Sequence, residues 1–284
     1  MRSMALALAL TGVAFHESGV AVRESKEPLD PSTAAGASLR YGAPIALGKG
    51  KARAYVVRNP KTGHPVEVGV ALTESALEGL PEGGTHGGNG HEHYASYILE
   101  LPADHGTPYR FVELDWNPKG HGGPYTAQHF DVHFYRIPLS EHDAIDPARA
   151  DYAQQASAFP AAGELPTSYV SSHLLMNLPP EKAAVPRMGL HWLDRNSPEL
   201  PPSNQPFTAT FIIGSWGGKV IFDEPMVTRD FILARRDSIR GTTIPVPAAA
   251  RYVPAGFYMD SYRVSFDRAA REYRVALTGL AWRE

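Results

Sequence analysis

The sequence predicts a mainly β fold, either an antiparallel barrel or a sandwich, with a few short helices. One observation behind this prediction is the number of chain-turning residues. The 284 residues include 26 glycines and 25 prolines, which favours many short elements joined by turns over long helices. The other observation is the period-two alternation of apolar and polar residues in several segments between these turns, which is typical of strands with one buried face.

The predicted strands follow one another from residue 52 to the end of the chain. They cover residues 52–58, 65–72, 94–101, 109–116, 128–135, 169–178, 187–194, 207–214, 219–222, 259–266 and 272–280. Pro60 and Gly63 predict a hairpin between the first two. Turns at residues 215–218 (Ser-Trp-Gly-Gly) and 267–270 (Asp-Arg-Ala-Ala) predict two further hairpins.

Three short helices are predicted between the strands. Residues 73–79 begin with threonine and end with glycine, which are preferred capping residues. A helix of about ten residues is predicted from Asp146-Pro147, because aspartate is favoured at the cap and proline in the first turn. The third is predicted over residues 228–235.

Composition excludes several classes of function. A net charge of −3 and a pI of about 6.5 exclude a strongly basic nucleic-acid surface. The chain has no cysteine, so disulfides, thiol nucleophiles and thiolate metal ligands are excluded. A metal ion would have to use histidine, aspartate, glutamate or tyrosine. No segment is long and apolar enough to predict a transmembrane helix.

The N-terminal segment predicts export. Arg2 precedes a mostly apolar run over residues 4–15, and Gly12-Val13-Ala14 has the small-x-small pattern of a cleavage site. A buried first strand and a wrongly assigned start codon are the alternative interpretations. We predict a signal peptide over residues 1–14, a flexible arm over 15–40 and a single β-rich domain over 41–284.

The most informative stretch is residues 128–135, Gln-His-Phe-Asp-Val-His-Phe-Tyr. In a strand, four polar side chains share one face, and three apolar side chains share the other. The polar side chains are those of His129, Asp131, His133 and Tyr135. Because such groups bind metal ions or move protons, this face is the candidate site.

Several segments resemble an uncharacterised family of bacterial, often exported proteins, a domain of unknown function. They are residues 71–81 (Ala-Leu-Thr-Glu-Ser-Ala-Leu-Glu-Gly-Leu-Pro), 116–121 (Trp-Asn-Pro-x-Gly-His), 124–125 (Pro-Tyr), 129–135 (His-Phe-Asp-x-His-Phe-Tyr), 188–194 (Met-Gly-x-His-Trp-x-Asp) and 214–226 (Gly-x-x-Gly-Gly-Lys-x-x-Phe-x-Glu-Pro-Met). The resemblance runs in the same order from Tyr41 to Glu284, and the motif at 129–135 is quite specific. It supports the architecture and implies no particular activity.

The chain departs from the family pattern at one position. In that pattern a glutamate follows the Gly-His pair, whereas this chain has Gly122. If that carboxylate binds a metal ion or moves a proton in relatives, this chain has either lost the group or replaced it, and Glu224 and Asp131 are the candidates for a replacement.

Strand geometry limits which residues can share an ion. Positions i and i+2 lie roughly 6.6 Å apart, whereas positions i and i+4 lie roughly 13 Å apart. His129 and His133 therefore cannot ligate one ion directly from a regular strand, while Asp131 can pair with either. His121 and His191 are the further ligands best placed by motif. The predicted cofactor is a divalent transition metal, and the sequence does not distinguish zinc, iron, manganese, nickel and copper.

Two interpretations without metal remain open, a hydrogen-bonded polar network and metal-free catalysis. In the metal hypothesis, Glu224 or Tyr135 is the proton-handling residue. His91 and His93 follow a glycine-rich loop and are interpreted as a solvated rim. Five other histidines are interpreted as surface or core residues, namely His16, His64, His105, His142 and His173.

Two functional hypotheses follow. The leading one is an exported β-barrel protein with an interior metal site, which binds a small molecule or performs redox or hydrolytic chemistry on it. The alternative is a non-enzymatic envelope or stress protein that self-assembles as a homo-oligomer, in which the polar face is architectural. Nucleotide-binding, zinc-protease and serine-hydrolase motifs are absent from the sequence.

Overall fold

The computed structural model describes residues 38–83 and 95–284. The strands of this part are β1 (Ser38–Tyr41), β2 (Ile45–Leu47), β3 (Gly50–Arg58), β4 (Pro65–Thr73), β5 (Ala95–Glu100), β6 (Phe111–Asn117), β7 (His129–Tyr135), β8 (Tyr169–Ser171), β9 (Leu190–Asp194), β10 (Ala209–Trp216), β11 (Lys219–Thr228), β12 (Thr242–Pro245), β13 (Gly256–Tyr258), β14 (Ser261–Asp267), β15 (Glu272–Thr278) and β16 (Ala281–Arg283). The α-helices are α1 (Leu139–Asp143), α2 (Tyr152–Ser157), α3 (Ser172–Met176), α4 (Pro180–Ala183) and α5 (Arg229–Leu233), and 3-10 turns cover Glu74–Leu77 and Ala234–Asp237.

The strands form two antiparallel seven-stranded sheets and a separate pair. Sheet I has the order β1-β3-β4-β15-β14-β12, with β2 also paired to β3, and sheet II has the order β5-β6-β7-β11-β10-β9-β8. Strands β13 and β16 pair with each other. Among the described residues both sheets end in edge strands, so the predicted barrel is wrong and the arrangement is sandwich-like.

The main core lies between the two sheets. One hydrophobic cluster contains Val70 and Val275 from sheet I together with Val112 and Phe130 from sheet II. The ring of Phe130 lies 4.7 Å from the ring of Trp116 on the neighbouring strand. The apolar face of β7 is therefore a core face, as its period-two pattern predicts.

The other face of sheet II is covered by helices and loops. A second hydrophobic cluster joins Tyr135 and Phe222 of the sheet to Ile145, Tyr152 and Phe207 of this outer layer. The polar face of β7 is on this side and is buried, because the outer layer lies over it.

Several predicted elements differ from the structure in their bounds; the strand predicted over 219–222, for example, continues to Thr228 as β11. The side chain of Asp146 accepts a hydrogen bond from the Ala148 backbone at 2.8 Å, which stabilises a turn, and α2 begins only at Tyr152. The strand predicted over 169–178 ends at Ser171. It is followed by α3, which stops at Asn177 in the left-handed conformation with a φ of 52°.

The three predicted hairpins are present as β3–β4, β10–β11 and β14–β15. The helix predicted over residues 73–79 is present as the 3-10 turn Glu74–Leu77. The helix predicted over residues 228–235 contains α5. The predicted signal peptide, His91 and His93 lie outside the described residues, while β1 begins at Ser38, inside the predicted arm. In the described part, every helix is too short or too polar to cross a membrane.

Candidate metal centre

The polar face of β7 is flanked by polar faces on both neighbouring strands. In β6, Glu113 lies opposite His133 and Asn117 lies opposite His129. On the other side, the register of β11 places Glu224 opposite His133. Three adjacent antiparallel strands therefore bring carboxylates, an amide and imidazoles to one buried face.

Cluster A consists of His121, His129 and Asp131, whose ligand atoms all lie within 4.8 Å of one another. Nε2 of His129 is 3.1 Å from Asp131 Oδ1, and Nε2 of His121 is 3.7 Å from Asp131 Oδ2. His121 follows Gly120, which has a φ of 65° and whose added Cβ would lie 2.3 Å from the Tyr125 carbonyl oxygen. Glycine is therefore required for the turn that brings His121 to β7.

A backbone contact fixes the tautomer of His129. Its Nδ1 lies 2.7 Å from the carbonyl oxygen of Ala127, which can only accept a hydrogen bond, so Nδ1 carries a proton. In the neutral ring Nε2 then presents a lone pair to Asp131. Nε2 and Oδ1 are 3.1 Å apart, and neither atom has another hydrogen-bond partner. Burial lowers the pKa of His129, but the neighbouring Asp131 carboxylate outweighs burial and raises it. Metal-binding histidines are commonly held in this way, with the far nitrogen donating to a carbonyl group.

Asp131 is also oriented by a neighbour. The amide nitrogen of Asn117 donates to Asp131 Oδ2 at 2.8 Å, which leaves Oδ1 facing His129. Two ligands bound to a tetrahedral zinc ion lie about 3.3–3.4 Å apart, given zinc–ligand bonds of about 2.0–2.1 Å. The 3.1 Å contact of His129 with Oδ1 is close to this spacing, whereas the 3.7 Å contact of His121 is made to the other oxygen, Oδ2. Cluster A thus has the donor types of a three-ligand metal site, with its ligand atoms within 4.8 Å of one another.

Cluster B consists of His133, His191 and Glu224. Nε2 of His133 is 3.4 Å from Glu224 Oε1, and Nε2 of His191 is 3.9 Å from Glu224 Oε2, so the carboxylate lies between the two rings. Nδ1 of His133 is 3.6 Å from Oδ2 of Asp115. Both nitrogens of His133, both oxygens of Asp115 and Oε2 of Glu224 are buried without a hydrogen-bond partner.

Glu113 and His142 form a pair that is satisfied without a metal ion. Nε2 of His142 lies 3.2 Å from Glu113 Oε2, and the Ser96 hydroxyl donates to Glu113 Oε1 at 2.6 Å. Burial raises the pKa of Glu113, but hydrogen bonding and charge from His142 outweigh burial and lower the pKa to about 2. Glu113 also groups geometrically with Asp115 and His133, but its oxygens already have partners.

Burial and neighbouring charges shift the other carboxyl groups in opposite directions. Burial raises the pKa of Glu224 well above its usual value, and the charges of Asp131 and Asp115 raise it further. For Asp131, burial also raises the pKa, but the imidazoles of His129 and His121 outweigh burial and hold the pKa well below its usual value.

Phe222 packs against both imidazole rings of cluster B. Its ring centroid lies 4.8 Å from that of His133 and 5.4 Å from that of His191. The ring lies across Gly214 of β10, where an added Cβ would be 2.0 Å from the nearest ring atom. The absence of a side chain at 214 is what gives Phe222 this position.

All seven predicted site residues lie on the outer side of sheet II, but they do not form one ligand set. Five of them are the histidines and aspartate of clusters A and B, and Glu224 belongs to cluster B. The remaining residue is Tyr135, whose ring packs 4.8 Å from Phe111 and whose hydroxyl donates to the Arg187 carbonyl at 3.4 Å. An added Cβ at Gly122 would meet no atom within 4 Å. The carboxylates of Asp131 and Glu224 lie near the imidazoles on strands β7 and β11.

Sequence reasoning missed four residues of this face, Glu113, Asp115, Asn117 and His142. The first three alternate with Val112, Leu114 and Trp116 in β6. The same period-two pattern that identified β7 was therefore present in the strand before it. His142 carries no comparable signal, because its contact with Glu113 depends on where α1 lies.

Fold and site together define a class: a two-sheet antiparallel β protein with buried histidine–carboxylate clusters on one sheet. Residues 61–116 match the sequence model of a family described as TTHB210-like, hypothetical protein TTHB210. The match is consistent with an uncharacterised family; it includes Glu113 and Asp115 but ends before β7. No curated protein and no solved structure matches the chain.

Proposed function

We propose that this protein binds a divalent transition metal ion at cluster A and uses the ion to bind or transform a small molecule. Cluster A supplies two imidazoles and one carboxylate, a donor set that suits zinc, iron, manganese, nickel or copper. Three protein ligands leave at least one coordination position for water or a small-molecule donor. Hydrolytic or redox chemistry would take place at that position.

The observation that carries the proposal is a concentration of unsatisfied buried atoms. Seven buried nitrogen and oxygen atoms, all on Asp115, His129, Asp131, His133 and Glu224, have no hydrogen-bond partner. Each such atom costs about 1–3 kcal/mol, and native proteins contain few of them. A structural polar network is stabilising when its members satisfy one another. An ion at cluster A would satisfy two of them, Nε2 of His129 and Oδ1 of Asp131, which favours the metal hypothesis over the network.

A small molecule would reach the ion from the side of the two partly exposed histidines. The side chains of His121 and His191 are 13% and 14% exposed, whereas those of His129 and His133 are 0% and 1% exposed. The buried rings of His129 and His133 therefore mark the inner side of the site, and the partly exposed rings of His121 and His191 mark its outer side. The free coordination position is expected on the outer side.

Elemental analysis of protein purified without a His-tag or chelator tests the proposal. We expect at least one equivalent of zinc, iron, manganese, nickel or copper per chain, and loss of the cluster A ion in His129→Ala. His105→Ala is the matched control, because His105 lies in a loop and contacts Thr107 rather than either cluster. A stable, metal-free protein that takes up no added Zn²⁺ would refute the proposal and favour the structural network.

We also propose that the protein is exported, as the resemblance to often exported bacterial proteins implies. The sequence supports this part of the proposal. The apolar run after Arg2 and the Gly12-Val13-Ala14 pattern support a signal peptide ending at residue 14. N-terminal sequencing of protein from the native host should find a mature chain that begins near Phe15. Soluble cytoplasmic protein that retains Met1 would contradict export.

Self-assembly is a second candidate function, and one surface feature favours it. Leu174, Leu175 and Met176 of α3 are 64%, 50% and 57% exposed, which is unusual for three consecutive large apolar residues. A second copy of the chain could cover them. Light scattering coupled to gel filtration should show an oligomer that Leu175→Glu dissociates and Ile239→Glu, a change at an exposed apolar residue elsewhere, does not.

A further inference from the structure

Cluster B has the features of a cation site in its own right. His133 and Glu224 are 1% and 2% exposed, and both nitrogens of His133 and Oε2 of Glu224 lack hydrogen-bond partners. In the described part of the chain, the ion-pair partners of Glu224 are two histidines, His133 and His191. Among the described residues no lysine or arginine is ion-paired with this carboxylate, so two imidazoles and one carboxylate face one another as possible ligands of a metal ion.

Asp115 completes the environment of His133. Its Oδ2 atom is 3.6 Å from His133 Nδ1, on the opposite side of the ring from Glu224. If Nδ1 carries the proton, Nε2 presents a lone pair to Glu224. At 3.6 Å the contact is longer than a hydrogen bond, so Asp115 places a carboxylate beside His133 without fixing its tautomer. In cluster A, by contrast, the carbonyl group of Ala127 holds His129 through a contact of 2.7 Å.

Clusters A and B are too far apart along β7 to share a single ion. The pairing of β7 with β6 runs without a bulge from His129 to Tyr135. His129 and His133 are therefore separated by roughly 13 Å, and Asp131 and His133 by roughly 6.6 Å. The two ions of a bridged two-metal centre lie only about 3.5–4 Å apart. Two separate, neighbouring sites fit this spacing better than one.

We propose that the chain binds a second divalent transition metal ion at cluster B, held by Nε2 of His133, Nε2 of His191 and the carboxylate of Glu224. This inference rests on the proposed metal-binding function and extends it from one ion to two. It assigns Glu224, a candidate proton-handling residue by sequence, to metal ligation. Because two nearby cations repel each other, we expect one site to fill before the other.

A zinc titration of the metal-free, tag-free full-length protein tests the second site. Bound zinc is followed by calorimetry and counted by elemental analysis after dialysis. His121→Ala and His191→Ala are a matched pair, because each removes one imidazole of similar exposure from one cluster. We expect two zinc ions per wild-type chain, one in each single variant and none in the double variant. His105→Ala should retain two.

The possible results separate this inference from the proposed function. One zinc ion per wild-type chain, lost in His121→Ala and retained in His191→Ala, overturns the second site and leaves the first intact. One ion lost in both variants also overturns it, because the clusters would then form a single site. No zinc in the wild-type protein refutes metal binding altogether. Circular dichroism verifies each fold, and His191→Asn replaces the alanine variant if that variant does not fold.

Discussion

The packing of Phe222 on Gly214 allows a sharp test of how cluster B is built. Gly214 lies between Phe222 of β11 and His191 of β9 in the sheet. In Gly214→Ala, the new Cβ would lie 2.0, 2.2 and 2.4 Å from three atoms of the Phe222 ring. Ordinary contact begins at 3.4 Å, so the ring would have to move by about 1.4 Å.

The ring of Phe222 has no free space into which it could move. Phe222 is completely buried, and its ring contacts the rings of His133 and His191. Adding a methyl group to a packed core costs about 1–3 kcal/mol. A displacement of about 1.4 Å also exceeds the roughly 0.5 Å within which a functional site must be held. We therefore expect both a loss of stability and a loss of the cluster B ion.

Urea unfolding and zinc titration measure the two effects. Gly214→Ala should lower the free energy of unfolding by about 1–3 kcal/mol and bind one zinc ion, at cluster A. Gly122→Ala is the control, because a Cβ there meets no atom within 4 Å, and it should change stability by less than about 0.5 kcal/mol. If Gly214→Ala has wild-type stability and binds two ions, the described packing of Phe222 is wrong.

Three further predictions concern the core, the orientation of a ligand and a buried ion pair. Phe130→Ala should lower the free energy of unfolding by about 3–5 kcal/mol in a denaturant titration, because Phe130 lies in the core between the sheets; a cost below about 1 kcal/mol would contradict this packing. Asn117→Ala should weaken zinc binding by about 10–100-fold in calorimetry, because it removes the donor that orients Asp131; unchanged affinity would exclude that role. Arg136→Ala should cost about 3–5 kcal/mol, because it leaves buried Asp223 without its bidentate partner, and adding Asp223→Ala should recover part of the loss.

Local properties of the chain were predictable because they depend on neighbours in sequence. Side chains alternate along any strand, so the pattern at 128–135 placed Phe130 on the core face and His129, Asp131 and His133 on the polar face. Turn residues identified three hairpins for the same reason. Local signals failed at Asp146, where the side chain stabilises a turn with Ala148 that competes with the predicted helix.

The sequence by itself determined which face of β7 carries chemistry, and it limited any metal site to nitrogen and oxygen ligands because the chain has no cysteine. Only the tertiary structure decided how the ligands are grouped. Glu224 is far from His133 in the chain, and the pairing of β11 with β7 places them opposite each other. That pairing, and the sandwich in place of a barrel, depend on how the two sheets bury their apolar faces against each other. The energy that selects such an arrangement is spread over many long-range contacts, so no single motif records it.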